Sequence, residues 1–161
     1  MNTNDLKRMF SISEMLLNMN LDGITHEDAL VQPAPKGNCM NWVVGHILAS
    51  REHLFQILSL DPFWSEPEKS LYGRGSSPIR NSEGAVHLDK LNELFKLSQK
   101  QLQDRLGSMT AEDLATPLPE PHEILGRTVG DAADFLQWHE SYHQGQIGTL
   151  RGLAGKDGAM G

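Results

Sequence analysis

Cysteine is almost missing from this chain. A single thiol, Cys39, stands among 161 residues, so no intrachain disulfide can form and a reducing, cytoplasmic compartment is the expectation. Basic residues are in the minority: 14 Lys and Arg against 21 Asp and Glu leave a net charge of -7. That balance lacks the concentrated positive surface by which proteins hold nucleic acid or anionic lipid, and neither nucleic acid nor membrane is expected as a partner. Long apolar runs are absent too. No stretch reaches the roughly 20 residues needed to cross a bilayer. The opening "MNTNDLKRMFSISEMLLNMN" has neither the continuous apolar block nor the small-residue cleavage site of a signal peptide. Sustained period-two alternation is also missing, so no strands are expected.

What is present is helical periodicity, in four segments. The first runs from about Asn4 to Met19, with Leu6, Met9, Phe10, Leu16 and Leu17 at helical spacing and Thr3 as the N-cap. The second, about Met40 to Leu60, carries Val43, Ile47, Leu54, Ile57 and Leu58. The third, about His87 to Leu106, has an apolar stripe broken only at Ser98, with charged residues opposite. The fourth, about Val129 to Leu153, is capped by Thr128 and closed by Gly155. The fold class this implies is all-α, a four-helix bundle with long crossover loops. One domain over residues 1–155 with a frayed tail at 156–161 accounts for the length. The links Leu21–Cys39, Asp61–Val86 and Leu106–Arg127 are long and hold all 8 prolines. Loops of that length cover a site or move. Within the first, Thr25 to Asp28 can nucleate a helical turn.

The most specific motif lies in the fourth segment. "WHESYHQGQIGTLRG" contains His139-Glu140-Ser141-Tyr142-His143, which spells H-E-x-x-H, the zinc signature of many metallopeptidases. Its context argues against peptidase chemistry. Only Asp157 follows as a further acid, no histidine follows, and no sheet edge is expected to hold an extended substrate. The helical spacing still matters, because residues four apart lie one turn apart on one face and can reach a single cation. Two hydrogen-bonded core histidines would satisfy the same pattern. Glu140 is one residue off that face and is expected to meet solvent.

"NWVVGHILASREHLF" in the second segment places His46 in an apolar stripe, directly after Gly45. Glycine inside a helix costs about 1 kcal/mol relative to Ala and often marks close approach of a neighbour. A histidine here, opposite the pair in the fourth segment, would complete a three-nitrogen face with an open fourth position. His53 lies about two turns further on, roughly 10 Å along the axis, and reads as a surface or dimer-contact residue. His26, His87 and His122 fall in loops or at helix ends, where solvated histidines are the default. Gln146 and Asn41 are candidates to orient the imidazoles through their outer nitrogens. Tyr142 and Arg151 are weaker candidates for substrate contact, and Arg151 also suits a helix C-terminus.

"MNWVVGHILASREHLF" and "TVGDAADFLQWHESYHQGQIGTLR" together resemble the DinB-like superfamily of metal-binding four-helix proteins. Its members include bacillithiol- and mycothiol-dependent thiol transferases and the mycothiol-dependent maleylpyruvate isomerase. The carrying motifs are the Asn-Trp-x-x-Gly-His of Asn41 to His46 and the His-x-x-x-His-x-Gly-Gln of His139 to Gln146. The resemblance implies that His46, His139 and His143 are the metal ligands, the metal being zinc, nickel, iron or manganese. It implies a metal-dependent enzyme of the thiol transferase type, or a hydrolase, acting on a small-molecule thiol and an electrophile. No catalytic residue beyond the ligands is assigned. A homodimer is expected. The alternative is a metal-stabilised stress-response or interaction module without turnover.

Overall fold

The computed structural model describes residues 2–160 and shows a predominantly helical chain with a small two-strand sheet. Helix α1 spans Thr3–Leu21. Its cap is Asn2, one residue before the expected Thr3. The Asn2 side chain accepts from the Asp5 amide at 2.9 Å while the Asp5 carboxylate accepts back from the Asn2 amide, so two otherwise orphaned donors are satisfied. Helix α2 spans Met40–Ile57 and stops short of Leu60, because Ser59 turns left-handed at φ 56°. Two short helices, α3 (Glu66–Lys69) and α5 (Ala111–Leu114), lie in the links. Helix α4 spans Leu88–Ser108 and α6 spans Val129–Leu153. Thr128 caps α6 in a reciprocal pair with Asp131, and Gly155 follows its end at φ 77°.

Strands β1 (Pro117–His122) and β2 (Gly126–Thr128) form an antiparallel hairpin with Pro117 opposite Thr128 and a bulge before His122. This corrects the expectation of no strands. Period-two patterning reports strands that bury one face. This ribbon is mostly exposed and buries none of its residues fully, so it leaves no such pattern.

Helix α6 packs against both α1 and α2, and α4 packs against both as well. The core falls into two apolar clusters at opposite ends of these helices. Leu17, Val44, Ile47, Phe95 and Ile147 belong to one; Leu6, Leu54, Leu102 and Leu136 belong to the other. Read along the chain, α1 and α6 run from the second cluster to the first, while α2 and α4 run the opposite way. Consecutive long helices α2 and α4 are therefore parallel, so the link between them must travel back along a helix of about 27 Å. That requirement explains the length of Asp61–Val86. The crossover is ordered: Glu52 of α2 accepts from the amides of Phe63 and Trp64 at 2.7 and 3.1 Å, and Trp64, Tyr72, Ile79 and Val86 are buried in the core.

Between the two clusters lies a polar layer. Arg51 of α2 is 2% exposed and Glu140 of α6 is 3% exposed. The guanidinium donates from Nε and Nη2 to the two Glu140 oxygens, each at 2.8 Å. It also donates to Ser98 Oγ and Gln99 Oε1 of α4, both at 2.9 Å, and stacks on the Phe95 ring at 3.8 Å. Ser13 of α1 donates to the same carboxylate. One ion pair thus joins all four long helices, with its remaining donors satisfied as burial requires.

Candidate metal centre

Gly45 and His46 set one side of the site. A Cβ at position 45 would overlap the Tyr72 ring, so glycine is what lets the crossover lie flat on α2. Tyr72 is fully buried. Its hydroxyl donates to Asn41 Oδ1 at 2.9 Å and accepts from the Val86 amide at 2.8 Å. Burial pushes its phenol up to about 12, so it stays a donor at neutral pH. The Tyr72 backbone carbonyl accepts from His46 Nδ1 at 2.8 Å. A carbonyl only accepts, so the His46 proton sits on Nδ1 and the lone pair on Nε2. Trp42 stacks on the same ring at 4.7 Å.

On α6, His143 Nδ1 donates to Gln146 Oε1 at 2.7 Å, which again leaves the lone pair on Nε2. His139 Nε2 faces His143 Nε2 at 3.1 Å. His139 Nδ1 is buried with no hydrogen-bond partner among the described residues. One nitrogen from each of His46, His139 and His143 lies within 4.8 Å of the others, and the three rings form a cluster that can hold a metal ion. Two imidazoles on a tetrahedral cation at ~2.0–2.1 Å would have nitrogens about 3.3 Å apart, close to the observed α6 pair.

The electrostatics suit ligation. Burial draws all three histidines below the ordinary imidazole value. His139 falls furthest, to about 4, through burial first and then the neighbouring His143 and His46. For His143 the Gln146 hydrogen bond opposes the effect of burial. The rings are neutral near pH 7, the form that coordinates metals. Two cavities open onto the cluster. One of about 470 Å³ is bordered by Trp42, Tyr142 and His143. The other, about 580 Å³, reaches His46 and His139 beneath the β1–β2 hairpin.

Gln146 does orient a histidine, whereas Asn41 touches none and acts through Tyr72. His53 is exposed and outside the cluster. His26 is buried rather than solvated: it stacks on His87 at 4.5 Å, and its Nδ1 accepts from the Leu88 amide at the start of α4. The loop folds back there because the first amides of a helix need acceptors. His87 and His122 are exposed and accept from nearby amides. Arg151 donates to the Asn20 carbonyl at 3.0 Å and to the Asp157 carbonyl at 2.7 Å, tying α1 and the last residues to α6. Tyr142 is exposed and accepts from Gln146 Nε2. Glu140 does not meet solvent; Arg51 and Ser13 hold its carboxylate inside the polar layer. Arg51 itself was not singled out by sequence. The available signal was Ser98, the one polar break in the α4 stripe, which turns out to accept from its guanidinium.

Residues 9–147 match the family model described as the DinB superfamily. A crystal structure of a conserved protein from Enterococcus faecalis is similar over 96% of this chain and 98% of its own, with a TM-score of 0.74 at 16% sequence identity. That likeness concerns the fold. No curated protein matches the chain.

Proposed function

Because the chain belongs to the DinB superfamily, we propose that His46, His139 and His143 together hold one divalent cation, and that the site activates a small thiol, or a water, against an electrophilic small molecule. The observation behind this reading is the convergence of three ring nitrogens beside open cavities, with no fourth His, Cys, Asp or Glu among the described residues joining the group. Three protein ligands and a vacant position characterise reactive rather than closed structural sites. When bound, the cation supplies the positive charge that lowers the pKa of a thiol or water beside it. The chain's own residues prepare the ligands. The Tyr72 carbonyl and the Gln146 amide oxygen keep the protons of His46 and His143 on their outer nitrogens. Trp42 covers one face of the His46 ring. Zinc, nickel, iron and manganese are all compatible with three imidazoles. A thiol substrate fits a reducing, cytoplasmic setting.

Glu140 takes no part as a base, because its carboxylate is committed to Arg51. The same ion pair bears on the alternative, a metal-stabilised module without turnover. The helices are already joined through the polar layer, so the fold does not need a metal to connect them.

Elemental analysis of the native protein beside His143→Ala tests the reading. One divalent ion per chain is expected in the parent and a trace in the variant; equal metal in both would sink the ligand assignment. Chelation separates the two functions. A folded, helical apoprotein supports the reactive site, and unfolding supports the module. A panel of electrophiles offered with small thiols to the metal-loaded protein then tests turnover.

A further inference from the structure

The larger cavity at the cluster has a lining at odds with the rest of the molecule. The chain carries a net charge of -7, yet no carboxylate lines this space. Arg74 lines it and has no hydrogen-bond or ion-pair partner among the described residues. It follows Tyr72 by two residues, and the Tyr72 carbonyl is bound to His46, so the arginine is tethered to the metal centre through two backbone links. His53 and His122 border the same space. The His122 Nδ1 accepts from the amides of Ile124 and Leu125 at 3.1 and 3.4 Å, which puts the proton of the neutral ring on Nε2 as a further donor. Leu125, Phe135 and Leu136 give the same space an apolar part of its lining. At about 580 Å³ the cavity has the size of a small-molecule site.

We infer that this cavity binds a small organic oxyanion with an apolar body, its charged end at Arg74 and its body against Leu125, Phe135 and Leu136. The inference rests on the proposed reactive site, because it assigns the electrophilic substrate to the class of small organic acids. The planar guanidinium presents paired donors that match a carboxylate or a phosphonate. A neutral analogue of equal shape would keep the apolar contacts and lose the charge-assisted hydrogen bonds. At an exposed arginine such bonds sit at the low end of their range, about tenfold in affinity.

Calorimetric titration of zinc-loaded and chelator-treated protein with 4-phenylbutyrate, 3-phenylpropylphosphonate and 4-phenylbutyramide tests this. At least one of the two acids is expected to saturate in the millimolar range, about tenfold more tightly than the amide. The preference should persist in the metal-free protein and vanish in Arg74→Gln. Lys36→Gln, in the cavity on the His143 side, should leave it intact. The two acid arms show which oxyanion the site prefers. Equal binding of acids and amide overturns the inference, as does failure of both acids to saturate. A preference that survives Arg74→Gln but disappears with the metal would mean that the cation, not the arginine, receives the charge, and would also overturn it. If the native protein holds no metal, the proposed function fails, while an Arg74-dependent preference remains measurable on its own.

Discussion

Replacing Glu140 by Gln is the most discriminating single change, because two readings of the same residue predict opposite results. In a metallopeptidase the glutamate of H-E-x-x-H is a base beside the metal, and its amide would abolish chemistry while leaving stability nearly untouched. Here the carboxylate is 3% exposed and receives two hydrogen bonds of 2.8 Å from an arginine that is 2% exposed. The amide conserves the shape but leaves that guanidinium without a counter-charge. Removing one partner of a buried ion pair costs about 3–5 kcal/mol. For a chain of this size each kcal/mol moves the melting temperature by about 2–4 °C, so a fall of roughly 6 to 20 °C is expected. Thermal melts followed by circular dichroism, with chemical denaturation for the free energy, measure it. The double variant Arg51→Met/Glu140→Leu supplies the control. It removes both charges and should be more stable than Glu140→Gln alone, since apolar replacement of a buried pair is often neutral. A Glu140→Gln protein within about 1 kcal/mol of the parent would refute the reasoning, because the pair would then not carry the cost of a desolvated charge.

Two further changes probe the support around the histidines. Gly45→Ala should be stabilising by about 1 kcal/mol if helix propensity decided the matter. The Tyr72 ring occupies the space of the new methyl group, so a loss of about 1–3 kcal/mol is expected instead, together with roughly 10- to 100-fold weaker metal binding as the Tyr72 carbonyl is displaced from His46; melts and metal titration report both. Acid should weaken the apoprotein through the same rings. The unfolded chain takes up protons near pH 6.5, whereas the folded chain resists protonation of His139 until about pH 4. Stability contributed by the neutral rings is therefore present above about 6.5 and lost progressively as pH falls toward 4. Melting temperature against pH should be flatter over that window in His139→Phe than in the parent, and parallel curves would contradict the assignment.

The sequence was most legible where one physical rule acted alone. The ends of α6 were readable because a threonine three residues before an aspartate satisfies helix donors, and a glycine permits the turn that follows. Helical spacing and the apolar stripe around His46 made its meeting with the α6 pair geometrically possible, and the resemblance to the DinB-like superfamily singled out these three histidines, which the structure brings together. The solvent position expected for Glu140 does not hold because α6 buries more than one face. It packs on α1 and α2 together, so a residue turned about 100° from His139 leaves the histidine cluster but enters the polar layer. Gln137 and Gln144 are buried with it, marking a second inward line whose polar residues hide it from any hydrophobic count. The hairpin went unseen for the converse reason, since an exposed ribbon carries no burial pattern.

These two inward lines give α6 a double role, anchoring the helix on one line and presenting the clustered histidines on the other. His139 and Glu140 are adjacent in sequence, yet one faces the cavities and the other faces Arg51. The ion pair fixes the rotation and height of α6 against α2, the two helices that supply all three clustered histidines. A site assembled across a helix interface needs its supporting contacts to be stiff, since small displacements of ligand atoms weaken coordination. An ion pair with paired hydrogen bonds is directional where apolar packing is not. The glutamate of the H-E-x-x-H spelling thus serves the histidines beside it from outside their cluster: it sets where their helix stands.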